Sequence, residues 1–288
     1  MRKHPIILDT SGRGPQARYS GLGGPPIFRL EKVCKSFDGL VVLKDLDLDI
    51  QRGGTTVVIG PSGCGKSVLL KHLVGLLRPD RGRIYFDGVD VTRLSERQLA
   101  PFRQRMGFVF QAGALFDSMT VEGNVCFPMI ESGLKTRAEL RQRAARALKL
   151  VGLDGVQNKL PEELSGGQKK RVSLARAIAM DPEVILYDEP TTGLDPIRAD
   201  LINELILKLQ AELKTTSLVV THDMGSARKV GDRILMLWEG RILSDTTPEG
   251  LRQVTNEVVV RFIEGRASAD ELRELSSGHV IEGTEHEG

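Results

Sequence analysis

Residues 55–77 read TTVVIGPSGCGKSVLLKHLVGLL, and this stretch decides the fold class. Its first five residues are a short continuous run of Thr, Val and Ile, the pattern of a strand covered on both faces in a parallel sheet. A glycine-rich loop, GPSGCGKS, follows over 60–67, and an apolar helical stretch is expected over 68–77. Strand, glycine loop and helix in that order make a cradle for phosphate groups. Glycines let backbone N–H groups curl around anionic oxygens, and the helix N-terminus adds a favourable dipole. Gly60, Pro61, Ser62, Gly63, Cys64, Gly65, Lys66 and Ser67 are therefore candidate nucleotide contacts. Lys66 has the reach for β- and γ-phosphates, and Ser67 offers a hydroxyl to Mg²⁺. Chance yields the four fixed positions in such a chain roughly once in a hundred, and the flanking strand and helix lower that further. The functional reading wins.

Outward from this loop the same alternation continues. Residues 184–187 and 218–220 are further short apolar runs, whereas KDLDLDI at 44–50 places Leu46, Leu48 and Ile50 on one face and Asp45, Asp47 and Asp49 on the other. Period two marks a half-buried, antiparallel-type strand. Helices are expected over 136–151 and 195–213, the second opening on Pro196 and carrying Leu201, Leu205, Ile206 and Leu209 at helical spacing. Buried strands alternating with helices indicate an α/β fold with a small antiparallel portion near its start. Residues 1–26 hold five glycines and four prolines and read as a flexible extension; 266–288 hold six acidic residues against two arginines and read as an acidic C-terminal tail with a short helix near 270–275.

Composition narrows the function classes. With 40% apolar residues the chain can build a core, and a net charge of +2 argues against a strongly basic nucleic-acid binder. The longest uncharged run, 53–65, is glycine-rich and falls short of the ~18 residues a span needs. Cys34, Cys64 and Cys126 form no CxxC pair, which suits a reducing compartment, and no secretory leader is expected. The stretch 135–149 carries six basic residues against Glu139, most simply a solvated face.

A second motif, LSGGQ at 164–168, opens a helical run at 169–180. It resembles the signature of ATP-binding-cassette (ABC) ATPases and repeats the anion-binding logic: Ser165 offers a hydroxyl, Gly166 and Gly167 expose amides beside Gln168, and the helix dipole points outward. The third motif is VILYDE at 184–189, a buried strand ending in two carboxylates, which is costly unless both have partners. The resemblance implies an ABC-type P-loop NTPase with a RecA-like core, an antiparallel β subdomain and a helical subdomain at 112–180, the cassette spanning 27–265. It further implies ATP and Mg²⁺ as cofactors and a head-to-tail homodimer in which each ATP lies between one chain's phosphate loop and the other's signature. In the family pattern Asp188 orients the Mg²⁺ shell and Glu189 is the general base. Asp195, in TGLD at 192–195, touches the opposite subunit and also suits an N-cap for the following helix. His222, after the strand 218–221, contacts the γ-phosphate. Gln111, ending the strand 107–110, senses Mg²⁺ and links to the transporter, and Phe37 stacks on adenine.

Lys66 and Ser165 are 99 positions apart, too close for the coiled-coil insertion of chromosome-maintenance ATPases, and one cassette excludes the two-cassette translation factors. A transporter subunit working with an integral membrane permease remains, held at the cytoplasmic face of the inner (plasma) membrane without nucleic acid. FQAGALFDSMTVEGNVCFPM at 110–129 and VVRFIEG at 259–265 look like the ATPase subunits of Mla/Mce-type lipid transport systems. That resemblance implies phospholipid transport and an MCE-domain partner; import of small polar solutes such as amino acids is the alternative.

Overall fold

The computed structural model describes residues 24–111, 113–133, 136–267 and 273. The flexible extension assigned to 1–26 and the acidic tail assigned to 266–288, with its short helix, therefore lie almost wholly outside the described residues.

Two sheets organise the chain. The first contains β1 (Phe28–Phe37), β2 (Leu40–Ile50), β4 (Arg81–Phe86) and β5 (Val89–Asp90) in the order β2-β1-β4-β5, all antiparallel. The alternation read at 44–50 holds: Leu46, Leu48 and Ile50 are buried, and Asp45 and Asp47 face solvent. The second sheet has the order β10-β9-β3-β8-β7-β6, built from β3 (Thr55–Ile59), β6 (Met106–Val109), β7 (Val184–Asp188), β8 (Thr216–Thr221), β9 (Arg233–Trp238) and β10 (Arg241–Thr246). Its pairs are parallel except the β9–β10 edge. Every residue of β3, β7 and β8 is buried, which explains their unbroken apolar runs. Each buried Val, Leu or Ile there contributes roughly 1.5–3 kcal/mol.

Helices cover these sheets. α1 (Lys66–Leu73) follows β3 and packs toward β4, β7 and β8, while α2 (Glu96–Arg103) leads into β6. Three helices, α3 (Val121–Glu131), α4 (Arg137–Leu150) and α5 (Gly166–Ile178), pack on one another through Val125, Met129, Ala144, Leu148 and Val172. α5 also touches β6, so one helix joins this group to the main sheet. α6 (Pro196–Leu213), α7 (Met224–Val230) and α8 (Glu257–Glu264) complete the fold. Among the described residues no helix is long and apolar enough to cross a membrane.

Three expectations shift. The helix expected at 68–77 starts at Lys66 and stops at Leu73, because Gly75 turns left-handed at φ 71° and donates back to the His72 carbonyl; Leu76 is exposed. The strand expected to run to Phe110 ends at Val109, where a turn from the Phe110 carbonyl to the Gly113 amide begins, and Phe110 stacks on Phe108 instead. In α6 the buried stripe is Ile202, Ile206 and Leu209, while Leu201 faces outward. The basic face of α4 is partly paired: Arg141 with Glu122, Arg143 with Glu139, and Arg146 with Asp181.

Candidate functional site

The parallel sheet places three strand ends side by side. β3 lies between β8 and β9, and β7 lies beyond β8, so the loops after β3, β7 and β8 open at one edge. The first is the phosphate loop. At Gly60 an added Cβ would stand 2.4 Å from the Leu237 carbonyl oxygen, and Gly65 caps α1 at φ 102°, a left-handed conformation that other residues rarely adopt. Lys66 is buried, and its ammonium donates to the carbonyls of Gly60 (2.8 Å) and Pro61 (2.9 Å). Cys64 is half-buried, and burial pushes its thiol up, as befits a spacer.

The second loop brings the carboxylates. Ser67 Oγ donates to Asp188 Oδ1 at 2.9 Å, joining the start of α1 to the end of β7. Burial raises the Asp188 pKa, the Ser67 hydrogen bond opposes that rise, and the adjacent Glu189 charge adds to it. Glu189 follows in a left-handed conformation at φ 46°, a cost of order 1–3 kcal/mol. Its amide donates to the Val220 carbonyl at 3.0 Å, which fixes the turn against β8. Its Oε2 accepts from Thr192 Oγ1 (3.2 Å) and from the His222 amide (3.4 Å) and lies 3.0 Å from His222 Nδ1, while Oε1 lies 3.8 Å from Lys66 Nζ. Lys66, Glu189 and His222 thus form one chain of contacts, with Glu189 buried and the imidazole half-exposed.

The remaining sequence-derived residues stand apart from that cluster. Ser165 caps α5: its hydroxyl accepts from the Gln168 amide at 3.3 Å, and Gln168 Oε1 accepts from the Ser165 amide at 2.9 Å. Ser165 and Gly166 are exposed, and an added Cβ on Gly166 would meet nothing within 4 Å. Asp195 caps α6, accepting from the amides of Ile197 (3.1 Å) and Arg198 (3.0 Å), as its N-cap reading required. Phe37 is exposed at the end of β1, with Lys35 Nζ 5.2 Å from its ring centre and Leu40 and Val41 exposed nearby. Gln111 is exposed and joins the rest through its carbonyl, which accepts from Lys170 Nζ.

Chemically, a buried ammonium, two buried carboxylates and an imidazole at one loop mouth suit binding of a phosphate chain and activation of water. A hydroxyl beside a buried carboxylate offers the oxygen donors a hard cation prefers, and its charge would offset the cost of burying Asp188. Among the described residues there is no group of three or more His, Cys, Asp or Glu placed to hold a metal ion.

Sequence reading missed four side chains. Lys170 and Arg176 lie buried or half-buried on α5 and hold loop carbonyls after β6. Asn124 is fully buried; its Oδ1 accepts from the Phe116 amide and its Nδ2 contacts the carbonyls of Phe116, Met119 and Thr120. Thr192 steadies Glu189.

Fold and site together define an ATP-hydrolysing cassette. Residues 43–192 match the family model described as ABC transporter, and the chain belongs to the ABC transporter family as an ATPase subunit. It is 41% identical over 286 residues to the probable ribonucleotide transport ATP-binding protein mkl of Mycobacterium leprae, covering 93% of this chain and 82% of that one. It is also 41% identical over 227 residues to the intermembrane phospholipid transport system ATP-binding protein MlaF of Haemophilus influenzae, covering 79% and 86%. Among solved structures, the dimeric post-hydrolysis state of the ATP-binding cassette MJ0796 bound to ADP and Pi superposes with a TM-score of 0.71 at 36% identity, covering 77% of this chain and 98% of that one.

Proposed function

We propose that this ATPase subunit powers the transport of phospholipids or related lipids between membranes, seated on the cytoplasmic face of an integral permease and working with an MCE-domain protein. The observation that carries this reading is the segment 110–129, whose sequence resembles Mla/Mce-type ATPases and whose loop is pinned to α3 by Asn124. The similarity to MlaF supports it. The similarity to mkl, whose name assigns it to ribonucleotides, favours the alternative of a small polar solute. Co-purification of the native complex decides between them. An MCE-domain protein and bound lipid support the proposal; a soluble solute-binding protein in their place overturns it.

Within the cassette, residues 27–265, we assign the roles that the resemblance to ABC ATPases implies. Gly60 to Ser67 cradle the nucleotide phosphates, with Lys66 exchanging its loop carbonyls for phosphate oxygens and Phe37 stacking on the base. Ser67 and Asp188 would hold Mg²⁺, with Gln111 reporting on it; the ion supplies charge neutralisation at the phosphates. Glu189 takes the proton of the attacking water, a contribution of typically 10²- to 10⁴-fold. His222, 3.0 Å from Glu189, contacts the γ-phosphate. Ser165, Gly166, Gly167 and Gln168 close on the ATP of a second copy, and Asp195 faces that copy, so the working unit is a two-fold homodimer.

A further inference from the structure

Residues 113–114, after β6, are held by one guanidinium. Arg176 Nη1 donates to the Ala114 carbonyl at 2.7 Å and Nη2 to the Gly113 carbonyl at 2.8 Å. Two consecutive carbonyls converge there because two consecutive residues are left-handed, Gly113 at φ 78° and Ala114 at φ 44°. For alanine that conformation costs roughly 1–2 kcal/mol, so something must hold it. Six residues earlier on the same helix, Lys170 holds the Gln111 carbonyl, and its charge also lies within range of Asp188 and Glu189. Burial lowers the Arg176 pKa, and among the described residues no carboxylate bonds its guanidinium. A half-buried arginine placed for ion pairing would have an acid; this one has two carbonyls, a match for the planar fork of donors that lysine lacks.

We infer that Arg176 is a positioning residue, which locks the backbone of residues 113–114 to α5 so that Gln111 and the Ser165 end of that helix move as one body. A displacement of Gln111 by the nucleotide would then be delivered to the signature end of α5 without loss in a slack loop. This rests on the proposed placement of Gln111 beside the nucleotide.

The test is a double-mutant cycle on the full-length subunit with MgATP, combining Arg176→Gln with Gln111→Ala, alongside amide exchange over residues 113–116. Arg176→Gln should lower kcat by about tenfold to a hundredfold, the penalty of a misplaced group, with KM within about twofold. Exchange at 113–116 should quicken at least about tenfold as the loop is released. The double variant should be no slower than Gln111→Ala alone, because Arg176 acts through Gln111. Losses that multiply, or a raised KM with unchanged kcat, overturn the inference. Arg176→Lys, which keeps the charge but loses the fork, should fall between and carries the same cycle if Arg176→Gln does not fold. If Gln111→Ala alone leaves kcat unchanged, the reading of Gln111 has failed. Exchange then decides the clamp by itself: acceleration supports it, and unchanged exchange overturns it.

Discussion

Replacing Glu189 with glutamine isolates the proposed base, because its side chain is held from several sides. The amide keeps an oxygen for Thr192 and the His222 N–H, so the turn at φ 46° is retained, but it cannot take a proton from water. A loss of 10² to 10⁴ in kcat corresponds to about 2.7–5.4 kcal/mol of transition-state stabilisation. Stability should move far less. The 3.8 Å pair with Lys66 is worth roughly 4 kcal/mol of attraction at an effective dielectric of 20. Neutralising a carboxylate that is 7% exposed recovers most of that as relieved desolvation. A midpoint change below about 4 °C is expected, equivalent to about 1 kcal/mol. Lys66, released from Glu189, remains available to phosphate, so ATP binding persists and the ATP-bound dimer accumulates. Steady-state hydrolysis, nucleotide titration and size-exclusion chromatography with MgATP read these quantities. Turnover above about a tenth of wild type would put the base elsewhere, since even the weakest general base contributes more.

Asp188→Asn should raise the unfolding free energy of the nucleotide-free protein at pH 7 by on the order of 1 kcal/mol while abolishing stabilisation by MgATP. The sign follows from its raised pKa: the folded state favours the proton, so the cost of the charge grows as pH rises from the ordinary value of 3.8 through the folded one, and the gap between variant and wild type should close in acid. Melting curves against pH check this, and a destabilised variant at pH 7 refutes it. Lys66→Ala and Ser165→Arg should each abolish hydrolysis alone, and mixing them should restore ATP-driven pairing at the one intact composite site; a lone monomer turning over at full rate would defeat the sandwich. Met119→Glu, at a half-buried position on the loop pinned by Asn124, should leave free-subunit hydrolysis within about twofold and cost assembly with the permease, because a carboxylate would be buried unpaired. Pull-down beside an ATPase assay measures both, and normal assembly with lost hydrolysis would move this loop into the catalytic core.

Much of this architecture was legible because it rests on local rules. Unbroken apolar runs marked β3, β7 and β8, alternation marked β2, and Asp195-Pro196 announced the start of α6. The phosphate loop could be named from its spacing, while the signature at Ser165 and the acids Asp188 and Glu189 at the end of β7 were read through the resemblance to ABC ATPases. What stayed hidden depends on partners distant in the chain. Arg176 reaches carbonyls 62 and 63 residues away, and a cation within a helix reads as solvent-facing until its partner is known. The end of β6 was misplaced because Phe110 is as apolar as the strand before it; the turn to Gly113, not hydrophobicity, stops the ladder. The left-handed turn at Glu189 has no signature either, since glutamate shows no preference for that conformation and β8 imposes it.

The proposed sharing of ATP between two chains draws its strongest physical support from what each anion site lacks. On the β3, β7 and β8 side, Lys66 is placed to neutralise phosphate charge and Glu189 to take a proton from water, and Lys66 is already bonded to its own loop. On the α5 side, amides and a helix dipole face outward from Ser165 and Gly166, with a cap that satisfies Gln168 but leaves a glycine open to approach. No hydrogen bond or ion pair joins the two among the described residues. A helix start that open gains about 0.3–1 kcal/mol from an anion at a surface, and up to about 2 in a partly buried setting. Closure against a second chain would supply that burial, and it would exclude bulk water while keeping the one water that Glu189 is proposed to activate. Hydrolysis would split the shared anion into ADP and phosphate, and departure of the phosphate would take away the charge that the second chain's helix start holds, so under this proposal each cycle of pairing ends with release.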